Sequence, residues 1–208
     1  MSHSTPILLS TLFLVVSLML LGQPQLMGRI GEAQSIIESR VTQSGGIQYR
    51  DETIKNNRMQ GASYTKLLYL LENYDLRIYF KTADGRKPRQ SGMDARKMSS
   101  GWDLHVVYIN GRSVIETYRR SSAMTESEFN QLLKLQAGDS YWLKIKEASK
   151  DDEVFSIIGS TMERADGAVR AVRQRNYLVL IDRDLDELLA KKMIDGQNKA
   201  APVSVRGF

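Results

Sequence analysis

Residues 104–119 read LHVVYINGRSVIETYR, and this stretch decides the fold. Two runs rich in β-branched and aromatic residues flank Asn110-Gly111, which suits a two-residue type I′ turn because both turn positions need positive φ. The stretch therefore predicts a β-hairpin, and a loop of two residues fixes its register. In that register Ile109 faces Arg112, Val107 faces Val114, Val106 faces Ile115 and His105 faces Glu116.

Elements on both sides of the hairpin are predicted from periodicity and capping signals. Before it, residues 64–74 have a helical pattern, and Leu76–Phe80 alternates apolar and polar residues like a half-buried strand. After it, Thr125 and Glu128 have the spacing of a capping box, which predicts a helix that ends at Gly138. A strand from about Tyr141 is expected next.

The C-terminal third predicts a second hairpin and a final helix. Asp166-Gly167 separates two strand-like runs, and the fully apolar run Tyr177–Ile181 is typical of a central strand. A helix begins near Asp184 and is expected to stop at Gly196. Short turns between successive strands predict antiparallel pairing. The expected fold is therefore α+β, a single domain with a mainly antiparallel sheet packed on one face by two or three helices.

The chain of 208 residues is uneven in charge, because every Lys, Arg, Asp and Glu lies at or beyond Arg29. We therefore divide it into 1–28, a signal peptide or membrane anchor; 29–47, a linker or short helix; 48–196, the α+β domain; and 197–208, a flexible C-terminal tail. The net charge of +5 falls entirely on residues after the apolar segment.

Three interpretations of the N-terminal segment remain open. Ile7–Leu21 has the length of a signal-peptide apolar region and is shorter than the roughly 20 residues of a comfortable membrane-spanning helix. Absence of Lys and Arg before it speaks against a signal peptide, and an uncleaved anchor would leave the domain facing the cytoplasm by the positive-inside rule. A buried N-terminal helix of the core is the third interpretation.

Composition excludes several chemistries. The chain has no cysteine and two histidines, which excludes disulfides, thiol nucleophiles and zinc sites built on several imidazoles. Asp182, Asp184 and Asp186 have the spacing that opens a calcium loop, but the sixth position is Glu187 instead of Gly, so they are expected to cap a helix. No phosphate-binding glycine loop is present, and we predict neither a metal nor a cofactor.

Two groups of residues are candidate sites. His105 and Glu116 could form a base oriented by a carboxylate, although such cross-strand pairs are more often stabilising contacts of a sheet. Aromatic and basic side chains expected on a solvent-facing sheet surface could bind an anionic partner. They are Trp142, Lys144, Lys146, Arg170, Arg173 and Arg175. The loop from Asp84 to Gly101 is a third candidate binding region.

We expect an exported or membrane-anchored, non-enzymatic binding or assembly module of the cell envelope. Its expected partners are the membrane, through the N-terminal segment, and an anionic polymer or a protein; nucleic acid is disfavoured because no recognition motif occurs. One alternative is a small hydrolase or transferase that uses His105 and Glu116. The other is a membrane-tethered, cytoplasm-facing protein that binds polyanions.

Overall fold

A computed structural model describes residues 29–88, 100–145 and 156–200. Several predictions fall outside these ranges: the N-terminal apolar segment, Lys146, most of the loop between Asp84 and Gly101, and residues 201–208 of the expected tail. Within the described ranges, no helix is long and apolar enough to cross a membrane.

The described residues form eight strands, four α-helices and one 3-10 helix. In chain order they are α1 (Gln34–Gln43), β1 (Ile47–Gln48), α2 (Glu52–Met59), the 3-10 helix (Ser63–Leu70), β2 (Tyr74–Thr82), β3 (Gly101–Ile109), β4 (Arg112–Arg120), α3 (Glu126–Ala137), β5 (Trp142–Lys144), β6 (Met162–Arg164), β7 (Val169–Gln174), β8 (Tyr177–Asp182) and α4 (Arg183–Ala200).

All eight strands belong to one antiparallel sheet with the order β1-β2-β3-β4-β8-β7-β6-β5. Each half is a four-stranded meander, and the halves meet where β4 pairs with β8. This confirms the α+β class and the antiparallel pairing. It also confirms that the apolar run Tyr177–Ile181 is an interior strand, since β8 lies between β4 and β7.

The β3–β4 hairpin is formed, but its predicted register is wrong beyond the turn. Asn110 and Gly111 both have positive φ, 51° and 73°, as a type I′ turn requires. A β-bulge then shifts the pairing between Tyr108 and Val107, so that His105 faces Thr117 and Val106 faces Glu116. One extra residue in a strand turns every following side chain to the other face of the sheet.

Helices cover both faces of the sheet, whereas the sequence suggested one face. On the first face, α1 and α3 pack on a core that includes Ile37, Leu104 and Phe129. On the second face, the 3-10 helix and α4 pack on a separate core that includes Leu67 and Leu189. The strand β2 is consequently buried on both sides at its centre, not half-buried as predicted.

Two of the predicted helix starts are confirmed, and one predicted helix end is not. Thr125 and Glu128 form the predicted capping box of α3. The carboxylate of Asp182 accepts a hydrogen bond from the N–H of Leu185 at 3.0 Å, which confirms the expected capping role at the start of α4. The predicted stop at Gly196 is wrong, because α4 continues to Ala200. The segment 29–47 contains the short helix α1.

Candidate functional site

His105 and Glu116 do not form the predicted pair, because the bulge places them on opposite faces of the sheet. His105 faces the side of the 3-10 helix, where its Nδ1 lies 2.7 Å from the hydroxyl of Tyr64. Glu116 faces the side of α1 and α3, where it accepts a hydrogen bond from the hydroxyl of Tyr118 at 2.8 Å. The contact between His105 and Glu116 on which the predicted catalytic site depended is therefore not formed.

The surroundings of His105 favour a structural role. Its side chain is 1% exposed, and Tyr64 packs against the imidazole edge-on. Burial lowers the pKa of His105 to about 3, and the nearby charges of Arg119 and Arg58 act in the same direction. The imidazole is thus neutral over the physiological range and too weak a base for general-base catalysis near pH 7.

Glu116 belongs to a buried polar network below α3. Besides donating to Glu116, the Tyr118 hydroxyl accepts hydrogen bonds from Arg29 at 3.0 Å and from the Gln136 side chain at 2.8 Å. Burial raises the pKa of Glu116, partly opposed by its hydrogen bond with Tyr118 and by the charge of Arg29. The network ties the first described residue, Arg29, to β4 and α3.

The predicted basic sheet surface does not exist as one surface. Trp142 was expected to face away from the core, yet it packs against the core on the first face, and its indole N–H donates to the Leu133 carbonyl at 2.8 Å. Leu143, expected in the core, is 49% exposed, so the strand β5 has the opposite orientation to the predicted one. Lys144 is exposed, and Lys146 lies outside the described residues.

The arginines of the predicted surface point in different directions. Arg170 is buried and bridges Glu163, Asp186 and Glu187 at 2.9, 3.1 and 2.8 Å. Arg173 lies on the other face, where it stacks over Phe129 and pairs with Glu126. Arg175 is exposed in the turn between β7 and β8. These cations do not converge on one site, and Arg170 and Arg173 already have anionic partners.

A cavity of about 550 Å³ lies on the first face of the sheet, between α1 and α3. Its volume falls in the range of roughly 300–1,000 Å³ that is usual for small-molecule sites. The floor consists of alternate residues of three adjacent strands: Tyr79 and Lys81 of β2, Trp102 and Leu104 of β3, and Tyr118 of β4. Alternate residues of a strand share a face, which explains why these side chains meet.

Two helices and one turn complete the cavity. The α1 wall includes Arg40 and Val41, the α3 wall includes Leu132 and Leu135, and residues 82–85 form part of the rim. Of the described residues of the predicted binding loop from Asp84 to Gly101, Asp84 and Gly85 line the cavity. Leu135 is 42% exposed, so an apolar side chain remains accessible at the entrance.

Among the described residues, the charged side chains that line the cavity have partners, with the exception of Lys81. Arg40 pairs with Glu32 at 2.5 Å, Glu128 pairs with Arg120 at 3.0 Å, and Arg29 is bonded to Tyr118. Lys81 is half-buried on the cavity floor and has no hydrogen bond or ion pair to any described residue. An ammonium group at a cavity that has no partner among the described residues can bind an anion.

A second groove, of about 620 Å³, lies on the opposite face between the 3-10 helix and α4. Leu67, Leu70 and Met193 make it largely apolar, and Lys66 is its cation. It lacks the sheet floor and the buried hydrogen-bond network of the first cavity. The cavity between α1 and α3 is therefore the candidate ligand site, and the second groove serves as a comparison for it.

The residues of the candidate site were not singled out from the sequence. Tyr79 and Lys81 occupy the polar positions of the alternating strand, which were expected to face water. Only the packing of α1 and α3 over that face turns them into a cavity floor. A tyrosine among basic residues on a supposedly solvated strand face is the one signal that could have indicated a covered surface.

Comparison with known proteins finds no matching family model, no matching curated protein and no matching solved structure.

Proposed function

We propose that the protein is a membrane-anchored or exported binding module of the cell envelope, without catalytic activity, and that the cavity between α1 and α3 is its ligand site. The observation that carries the proposal is Lys81, which has no partner among the described residues and lies on a cavity floor whose other side chains are aromatic and apolar. Such a combination suits a ligand that has an apolar body and one anionic group.

The position of the cavity in the chain supports a membrane-associated role. Arg29, which lines the cavity, directly follows the uncharged segment that contains Ile7–Leu21. The backbone around Arg29 is fixed to the domain, since the Arg29 carbonyl accepts a hydrogen bond from the Ser113 hydroxyl at 2.7 Å and Gly31 N–H donates to the Ser113 carbonyl at 2.8 Å. An anchor in the membrane would hold the cavity close to the lipid surface, where amphiphiles are concentrated.

The expected ligand class is a single-chain anionic amphiphile. Its anionic group would pair with Lys81, and its apolar chain would lie against Trp102, Leu132 and Leu135. Burial of apolar area contributes about 25 cal/mol per Å², so the chain would supply most of the affinity. The ion pair would select carboxylate, sulfate or phosphate head groups over neutral ones.

The test is a titration with dodecanoate and with dodecanol, measured as displacement of dansyl-undecanoate fluorescence. Lys81→Met is expected to weaken dodecanoate binding about tenfold, because a half-buried charge-assisted contact contributes about 1.4 kcal/mol. Binding of dodecanol is expected to stay unchanged. Dodecanoate and dodecanol have the same chain length, so a difference in how the substitution changes their affinities reports the head group alone.

Lys66→Met is the matched control, because Lys66 is the cation of the second groove and likewise has no ion-pair partner among the described residues. It is expected to leave dodecanoate affinity unchanged. If Lys66→Met weakened dodecanoate binding and Lys81→Met did not, the ligand would bind in the second groove, which would contradict the proposal. Absence of any dodecanoate binding would contradict the ligand class.

A further inference from the structure

The strand β5 is an outer edge of the sheet. It comes last in the strand order, and within the described ranges β6 is its only neighbour. Edge strands present unpaired backbone groups that can pair with another chain. Three apolar side chains at alternate positions of β5 and its flanking residues share one face of this edge. Tyr141 is 64% exposed, Leu143 is 49% exposed, and Ile145 is half-buried.

Backbone directions show which groups remain open. The Tyr141 carbonyl accepts a hydrogen bond from the N–H of Ala165 at 2.8 Å, and the Ile145 N–H donates to the Thr161 carbonyl at 3.0 Å. Both residues therefore direct their backbone groups towards β6. Because direction alternates along a strand, the N–H and C=O groups of Trp142 and Lys144 point away from β6, to the open edge.

The edge is complementary to itself in one antiparallel register. If Leu143 faces Leu143 of a second copy, then Trp142 faces Lys144, and the open backbone groups of these two residues form hydrogen-bonded pairs. On one side of the sheet Tyr141 then meets Ile145 and Leu143 meets Leu143. On the other side each Lys144 ammonium meets an indole, a favourable cation–π arrangement.

The register centred on Lys144 is less favourable. Pairing centred on Lys144 would place two ammonium groups opposite each other, and like charges directly opposite are destabilising. Antiparallel pairing of β5 with its own copy gives a two-fold symmetric contact, the commonest symmetry of protein dimers.

We infer that β5 is a self-association edge, through which two copies of this chain join their sheets by antiparallel pairing centred on Leu143. The inference does not depend on the ligand cavity, because β5 contributes no residue to it.

The test uses single cysteines in the full-length chain in detergent, since the natural sequence contains none. Leu143→Cys is expected to form a covalent dimer under mild oxidation, because directly opposite residues of a non-hydrogen-bonded pair have Cα atoms about 4.5 Å apart, within disulfide range. Tyr141→Cys is the matched control on the same edge. In the inferred register its two copies are separated by four residues, about 13 Å along the strand.

Two further measurements separate this register from random collision. A mixture of Tyr141→Cys with Ile145→Cys is expected to cross-link, whereas Tyr141→Cys alone is expected to form no covalent dimer. Leu143→Glu and Leu143→Lys are each expected to be monomeric in light scattering and to form a heterodimer when mixed. Cross-linking of Tyr141→Cys as fast as Leu143→Cys, or no covalent dimer of Leu143→Cys, overturns the inference.

Discussion

The buried imidazole of His105 is expected to destabilise the folded protein in acid. The imidazole is 1% exposed and its pKa is about 3 in the folded protein, against about 6.5 in an unfolded chain. Between these two pH values the unfolded state binds a proton that the folded state rejects. Stability is therefore expected to fall as the pH decreases below about 6.5, at up to about 1.4 kcal/mol per pH unit.

The perturbation is His105→Asn, which removes the titration but keeps a polar atom near the position of Nδ1, where the Tyr64 hydroxyl can bond it. From pH 7 to pH 5 the parent protein is expected to lose about 2 kcal/mol relative to the variant. Asp103 and Glu116 are also buried, and burial raises the pKa of each, which produces the opposite pH dependence. Both proteins retain these carboxyls, so the difference isolates His105.

The assay is equilibrium urea unfolding at pH 7 and at pH 5, followed by tryptophan fluorescence. The variant is expected to be less stable at pH 7. The difference in free energy of unfolding between the two proteins is expected to be smaller by about 2 kcal/mol at pH 5. A gap of the same size at both pH values would refute the reasoning, because it would mean that the folded protein accepts the proton as readily as the unfolded chain.

Two further predictions concern the helices. Asp186→Ala is expected to cost about 3 kcal/mol, because it removes a fully buried partner of Arg170; calorimetry should show a fall in Tm of about 6–12 °C. Asp184→Ala, at an exposed pair, should change stability by less than about 0.5 kcal/mol. Thr125→Ala is expected to cost about 1 kcal/mol by removing the cap of α3, measured by urea unfolding against Ser127→Ala. Equal effects of a variant and its control would contradict either prediction.

The sequence was sufficient for the fold class because local signals were strong and consistent. Asn110-Gly111, the capping box at Thr125 and the apolar run of β8 each depend on residues close in the chain, and each is found where it was predicted. The register of the β3–β4 hairpin failed for a specific reason. The turn dictates pairing only up to the first irregularity, and the bulge between Val107 and Tyr108 leaves no recognisable signal in the residue types.

The side of the sheet that helices cover was the least predictable property of the fold. Alternation shows that a strand has two unlike sides, but it does not show which side a helix from elsewhere in the chain will cover. Lys81 on β2 was expected to face water and instead lies on the cavity floor, while Trp142 on β5 was expected to be exposed and instead packs on the core. The first outcome depends on α1 and α3, which are distant in sequence from β2. The second depends on α3, whose Leu133 carbonyl accepts the indole N–H of Trp142.

The cavity between α1 and α3 can be tested most directly with an acyl chain that carries bromine, because bromine quenches tryptophan fluorescence only at short range. Trp102 lines the cavity and Trp142 does not, and these are the two tryptophans of the chain. In Trp142→Phe, which keeps Trp102, brominated dodecanoate is expected to quench the fluorescence in a saturable manner. In Trp102→Phe, which keeps Trp142, quenching is expected to stay at the level of free bromide; saturable quenching of Trp142 alone would contradict the assignment of the site.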